Sequence, residues 1–302
     1  MSAPPAPGPR IASGERSAQL VCHMGVLSGR YGRNSLEAIR ECFDAGVGRI
    51  EIDIHSLDGS DYIVSHDRRL EASTTGSGSI GHATPAAIRA VRFTDGAAGR
   101  PALLSEIVDL ARGCTTELQL DWKDWRLISD DRLRALIETV APIRDRVIVS
   151  SGQDWNLRRL HEAAPLVPFG FDPGHYLDHA VEGSPVFLPR TMGAYGYRDD
   201  HPLAIGRAEP PPDYLAARME ALALQAPGAR EYFLSFRMVL QMLDDGFDVA
   251  AWLHARNIGA NVWTPDHDGP DSVRDLSRLI ETGIDRITTN TAPAWQQVFA
   301  AR

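Results

Sequence analysis

Eight short apolar, strand-like runs alternate with amphipathic helical segments along most of this 302-residue chain, and no obvious linker interrupts them. Parallel strands each need a crossover helix, and eight of them close most economically into a barrel. The fold class expected is therefore α/β: a (β/α)8 TIM barrel with a long insertion after the fifth strand. The length would also suit two ordinary domains, but the unbroken rhythm favours one domain over residues 19–302. Residues 1–18 contain prolines, Gly8, Arg10 and Arg16 where a secretory signal needs an apolar core, and read as a flexible leader.

Gln19 to His23 is the first strand. Asn34 to Ala45 follows as a helix, with Asn34 as N-cap, Leu36, Ile39 and Phe43 on one face and Gly46 as its stop. Arg49 to His55 is the second strand, and Tyr62 to His66 returns beside it through an Asp58-Gly59 turn. After a Gly/Ser-rich loop, Pro85 to Val91 and Leu104 to Arg112 read as helices. The cycle continues with strands Thr116 to Asp121, Arg146 to Ser150 and Val167 to Phe171, separated by helices Asp131 to Val140 and Trp155 to Ala163. Strand Tyr232 to Phe236, helix Met238 to Arg256, strand Gly259 to Trp263, helix Ser272 to Gly283 and strand Asp285 to Thr289 complete it. The irregular stretch Asp172 to Ala226, rich in Pro, Gly and aromatics, follows a barrel strand and is expected to hang over the mouth as a lid or a peripheral elaboration.

An apolar fraction of 43% allows a full core, and a formal charge of −9 argues against a general nucleic-acid binder. Cys22, Cys42 and Cys114 are an odd, widely spaced set, suited to reduced thiols in a cytoplasmic protein rather than to disulfides or a zinc site. No segment is long and apolar enough to span a bilayer. The partner expected is a small molecule, and nothing in the residues specifies an oligomeric state.

Three segments at strand ends carry the chemistry: Val21 to Gly25, Glu51 to His55, and Ser65 to Asp67. Alternation along a strand points Glu51, Asp53 and His55 to one side and Ile50, Ile52 and Ile54 to the other. A Glu-x-Asp pair is often only the solvated face of a strand, but here the opposite face is continuous isoleucine. Carboxylates on a rigid strand suit a hard divalent cation, and the histidines suit proton transfer. The joint reading is metal-assisted cleavage of a phosphate ester.

Seven motifs in order extend this: His23-Met24-Gly25, Asn34-Ser35-Leu36-Glu37-Ala38, Glu51-Ile52-Asp53, His66-Asp67, Leu120-Asp121-Trp122-Lys123, Asn261-Val262-Trp263-Thr264, and Gly283-Ile284-Asp285 with Thr289-Asn290. In this the chain resembles the glycerophosphodiester phosphodiesterase family over nearly its whole length. The resemblance implies the barrel and the hydrolysis of a glycerophosphodiester to a phosphomonoester and an alcohol. It implies Glu51, Asp53 and Asp121 as ligands of one divalent ion, Mg²⁺ or Ca²⁺ with Mn²⁺ as a further candidate. It implies His23 and His66 as the general base and general acid, with Lys123 and Trp263 as substrate-binding residues; Asn34 of the second motif and Arg33 beside it, where the family has glutamate, are further substrate-binding candidates.

The departures are informative. Met24 stands where the family has arginine, so a guanidinium that would grip phosphate is missing, and Arg30 or Arg33 could supply its charge. Asp121 replaces a glutamate and is one methylene shorter. Glu117 shares the inward face with Asp121 and is a rival ligand, and His55 is either part of the site or of its wall. The first histidine motif and the Asp-x-Lys strand also resemble sphingomyelinase D and lysophospholipase D enzymes, which would imply cleavage through a cyclic phosphate. Further alternatives are a metal-dependent lyase or enolising enzyme on the same scaffold, and a non-catalytic barrel that binds a phosphorylated ligand.

Overall fold

The computed structural model describes residues 9–177 and 210–301. The chain begins with β1 (Arg10–Ser13), β2 (Arg16–Cys22), α1 (Leu36–Asp44), β3 (Arg49–Ser56), β4 (Tyr62–Val64), α2 (Pro85–Ala90) and β5 (Ala102–Leu103). It continues through α3 (Leu104–Ala111), β6 (Glu117–Trp122), α4 (Asp130–Val140), β7 (Val147–Ser151), α5 (Asp154–Ala163), β8 (Phe169–Phe171) and α6 (Pro211–Gln225). The last elements are β9 (Glu231–Ser235), α7 (Phe236–Asp244), α8 (Val249–His254), β10 (Gly259–Trp263), α9 (Pro270–Thr282), β11 (Arg286–Thr289) and α10 (Ala292–Ala300).

Eight parallel strands close on themselves in the order β2, β3, β6, β7, β8, β9, β10, β11 and back to β2. The (β/α)8 barrel is the expected fold. One seam is thin: β2 meets β3 only at Cys22 and Ile50, because β1 occupies the lower part of the same β2 edge as an antiparallel partner. Residues 10–18, expected within a flexible leader, therefore form the β1 hairpin and the start of β2; the apolar Ile11 and Ala18 bury against the barrel.

Alternation along the strands sorts the side chains. Ile50, Ile52, Ile54, Leu118, Leu120 and Val149 point outward into the apolar layer beneath the helices and are inaccessible. The inward faces are polar and stacked in levels, since β3 and β6 pair Arg49 with Glu117, Glu51 with Gln119 and Asp53 with Asp121. At the bottom, Arg49 holds Glu117 at 2.8 Å and forks onto Glu231 at 2.7 and 2.8 Å, and Arg286 joins Glu231 at 2.9 Å. At mid-height Gln119 donates to Ser150 (3.3 Å), and Thr288 donates to Asn261 (3.1 Å). The acidic level lies above, at the C-terminal ends of the strands.

Three local expectations change. Ser35, not Asn34, caps α1: its hydroxyl accepts from Ala38 N at 3.0 Å, while Asn34 takes a left-handed conformation (φ 59°). The helix expected over Met238 to Arg256 is two, α7 and α8, broken at Gly246 (φ 85°). Within the stretch Asp172 to Ala226, residues 211–225 are α6, the ordinary crossover to β9, which its proline-rich start disguised in the sequence. Residues 178–209, the centre of the expected lid, and residues 1–8 of the leader lie outside the described residues. Among the described residues, no helix is long and apolar enough to cross a membrane.

Candidate active site

The first βα turn is built on two left-handed residues. Gly25 (φ 68°) lies so close to α1 that a Cβ there would stand 2.9 Å from Ile39 Cγ1. Met24, also left-handed (φ 50°), is a strained conformation for a side-chain-bearing residue, and its N–H donates to Glu51 Oε2 at 2.9 Å. Asn34 N in turn donates to Met24 O at 2.8 Å. The turn thus delivers His23 and Asn34 to the inward carboxylates of β3.

Glu51, Asp53 and Asp121 place one carboxylate oxygen each within 4.8 Å of one another. Register accounts for it: Asp53 lies directly beside Asp121 on the neighbouring strand. Glu51 and Asp53 are buried. Burial, then Asp53 and Asp121, push the Glu51 carboxyl well above the ordinary carboxylate range. Burial also penalises the Asp53 anion, yet Lys123, His66 and Asn34 hold its carboxyl below the usual value. Lys123 Nζ stands 2.5 Å from Asp121 Oδ2 and 3.1 Å from Asp53 Oδ1. Burial works against its charge, but Asp121, Asp53 and Glu51 prevail and raise its pKa. Asp53 Oδ1 is buried, with the Lys123 ammonium as its one close polar contact among the described residues. Crowded acidic oxygens of this kind fit a hard divalent cation.

His23 Nδ1 lies 2.9 Å from Asn290 Oδ1. The Asn290 amide nitrogen donates to Asp266 Oδ2 at 2.7 Å, and its backbone N–H to Asp266 Oδ1 at 2.8 Å. Asn290 therefore presents its oxygen to His23, so Nδ1 carries the proton and Nε2 is the acceptor. Nε2 faces the carboxylates, 3.7 Å from Glu51 Oε2. Burial holds the His23 pKa below the ordinary imidazole value despite the Asn290 bond, which keeps the ring neutral near pH 7.

His66 sits on the loop after β4, more than half exposed, with Nδ1 3.6 Å from Asp67. It borders three contiguous cavities of about 300, 360 and 460 Å³. His55, the doubtful member of the strand triplet, belongs to the wall: its Nε2 bonds the His66 carbonyl at 3.3 Å, and its Nδ1 lies 3.9 Å from Asp124. Asn34 is buried, and its amide is occupied by Asp53, donating to Oδ2 at 2.8 Å and accepting from Asp53 N at 3.3 Å. Trp263 ends β10, 37% exposed, and lines the two smaller cavities with Lys123. Arg33 is apart from the carboxylates, exposed in the largest cavity. The rival ligand Glu117 is at the opposite end of the barrel, paired with Arg49.

Two residues of this end escaped the sequence reading. Asn290 lies in the quoted Thr-Asn motif, but only the fold shows it behind His23. Asp172 closes β8 and lines the two smaller cavities; a carboxylate at a strand's C-terminal end was its one signal. Burial pushes its carboxyl up to about 7, against bonds from Gly174 N and the Trp263 indole.

A profile of the glycerophosphoryl diester phosphodiesterase family matches residues 23–172, from the first histidine to Asp172. The chain belongs to that family. As a member it is a phosphoric diester hydrolase. No curated protein matches it in sequence. Solved structures match over almost the whole length. A glycerophosphodiester phosphodiesterase from Parabacteroides distasonis superposes with a TM-score of 0.66 at 15% identity, covering 96% of this chain and 99% of that one. The Thermotoga maritima glycerophosphodiester phosphodiesterase gives 0.62 at 17% identity, covering 94% and 98%. An Oleispira antarctica phosphodiesterase, solved with its product sn-glycerol-3-phosphate, gives 0.63 at 16% identity, covering 94% and 97%. At such identities the likeness establishes the barrel fold.

Proposed function

We propose that this phosphodiesterase hydrolyses a glycerophosphodiester to a phosphomonoester of the glycerol 3-phosphate type and an alcohol, with a divalent ion and a histidine pair. The supporting observation is the meeting, in one place, of the Glu51, Asp53 and Asp121 oxygens with the acceptor nitrogen of His23. The Oleispira product complex supports glycerol 3-phosphate as the retained half.

Glu51, Asp53 and Asp121 would hold the ion, whose bound chemistry is to offset phosphate charge and polarise its oxygens. Asn34 orients the Asp53 carboxylate, and the Met24 N–H orients Glu51. Lys123 adds a fixed positive charge toward a phosphate oxygen, which reduces repulsion of an incoming nucleophile. His23 Nε2 takes the proton of the attacking hydroxyl while Asn290 and Asp266 hold the ring in the required tautomer. His66, on the open side, gives a proton to the departing alkoxide; His55 anchors its backbone. Trp263 lines the pocket wall against the glycerol portion.

Phosphorus NMR of a glycerophosphodiester panel with Mg²⁺, Ca²⁺ or Mn²⁺, and with chelator, tests this and reports any cyclic phosphate. His23→Ala and His66→Ala are each expected to slow metal-dependent turnover by about 10²- to 10⁴-fold. Turnover that is indifferent to both histidines overturns the acid/base assignment.

A further inference from the structure

We propose that the leaving-group side of this site selects alcohols that carry a negative charge, read by Arg68. The proposal rests on the phosphodiesterase reading above, because it takes His66 as the proton donor and hence as the marker of where the alcohol departs.

Arg68 lies two residues beyond His66 and lines the same cavity of about 360 Å³ as His66, Asp121, Lys123 and Trp263. It is held in a defined place. Its guanidinium lies over the ring of Trp125, 5.5 Å from the centroid, and that of Arg126 lies over the same ring at 4.8 Å. Trp125 is 48% exposed on the loop after β6, so it forms a platform at the lip rather than part of the core.

Among the described residues, neither guanidinium has a carboxylate within ion-pair distance, in contrast to Arg69, Arg100, Arg158 and Arg159. The acids of the cavity do not neutralise them. Asp121 is paired with Lys123, and the half-buried Asp172 accepts from Gly174 N at 2.8 Å. His175, which lines the same cavity, is bonded to Gln153 at 2.8 Å, and burial, then Arg68 and Lys123, hold its pKa below the ordinary imidazole value. The rim beside His66 is therefore positive, with a planar fork suited to two oxygens of a carboxylate or phosphate. An exposed tryptophan at an active-site mouth could instead cradle a quaternary ammonium, but here guanidiniums already lie over the ring and repel a second cation. A charged distal group explains why these arginines have no carboxylate partner among the described residues.

Matched glycerophosphodiesters test the idea, with leaving alcohols 3-hydroxypropanoate, 3-hydroxypropyl phosphate, 1-propanol and choline. The two anionic alcohols are expected to give kcat/KM on the order of tenfold above 1-propanol, with choline lowest. Arg68→Ala should collapse that ratio, Arg68→Lys retain part of it, and Arg68→Glu move choline to the top. A merely structural role would slow all substrates together and leave the order unchanged. Equal kcat/KM across the panel, or a choline preference in the wild type, overturns the inference while the phosphodiesterase reading stands; no turnover of any member with any metal overturns both. Arg68-dependent binding to phosphatidylglycerol vesicles without discrimination among the soluble diesters assigns the platform to a membrane surface and overturns it as well.

Discussion

At the residue scale, the site is a problem of charge crowding solved by fixed donors. Three carboxylates from two adjacent levels of the barrel converge, and their neighbours orient an acid or oppose its charge: Met24 N on Glu51, Asn34 on Asp53, Lys123 between Asp53 and Asp121. His23 depends on a longer chain. Asp266 orients Asn290, and Asn290 decides which imidazole nitrogen bears the proton. Asn290→Ala is therefore expected to lower kcat about 10- to 100-fold with a small change in KM, since the base loses its tautomer and not its substrate contacts. Steady-state kinetics on one glycerophosphodiester checks this; a change confined to KM would place Asn290 on the substrate instead. The sequence displayed His23, Glu51, Asp53, Asp121 and Lys123 because strand alternation sorts side chains by face. It could not display Asn290 behind His23, separated along the chain by nearly the whole barrel, nor the capture of Asn34 by Asp53.

At the element scale, close approach between strands matters as much as side-chain chemistry. Gly170 on β8 faces the lumen opposite β9, and a Cβ there would lie 2.3 Å from Phe233 Cε2 and 2.8 Å from Glu231 O. Phe233 lines the smallest cavity beside the carboxylates. Gly170→Ala is expected to destabilise the fold by about 1–3 kcal/mol, because a backbone oxygen cannot move aside as a side-chain tip can. Urea unfolding measures this, and a change below a few tenths of a kcal/mol would show that the β8–β9 seam opens without strain. The same scale explains the boundary differences. Alternation identified all eight barrel strands, but Gly246 inside an otherwise helical pattern breaks the segment into α7 and α8. The prolines opening α6 resembled a loop, although proline in the first turn is compatible with a helix.

For the whole molecule, the barrel has a chemical end and a stabilising end. The bottom is closed by Arg49, wholly buried, between Glu117 and Glu231, with Arg286 on Glu231. Burial alone would raise the Glu231 pKa, but Arg49 and Arg286 hold it below the ordinary carboxylate value. A carboxyl with a depressed folded pKa contributes stability in full above the unfolded value, near pH 4.3, and loses it as pH falls through the folded one. Glu231→Gln is thus expected to cost about 3–5 kcal/mol at pH 7, by leaving Arg49 partly uncompensated, and to flatten the acid limb of stability below about pH 4.3. Denaturant titrations from pH 7 to pH 3 read both effects, and an unchanged acid limb would mean that other carboxylates govern it. The linear order of residues was enough to specify the eight-strand barrel and the strand ends at which the candidate acidic and histidine residues gather, since periodicity and strand-end chemistry are local properties. Which nitrogen of His23 is free, that Glu117 closes the floor instead of binding above, and that Arg68 lies over Trp125 beside His66 are settled by folding, because each depends on contacts between segments that meet only when the barrel closes.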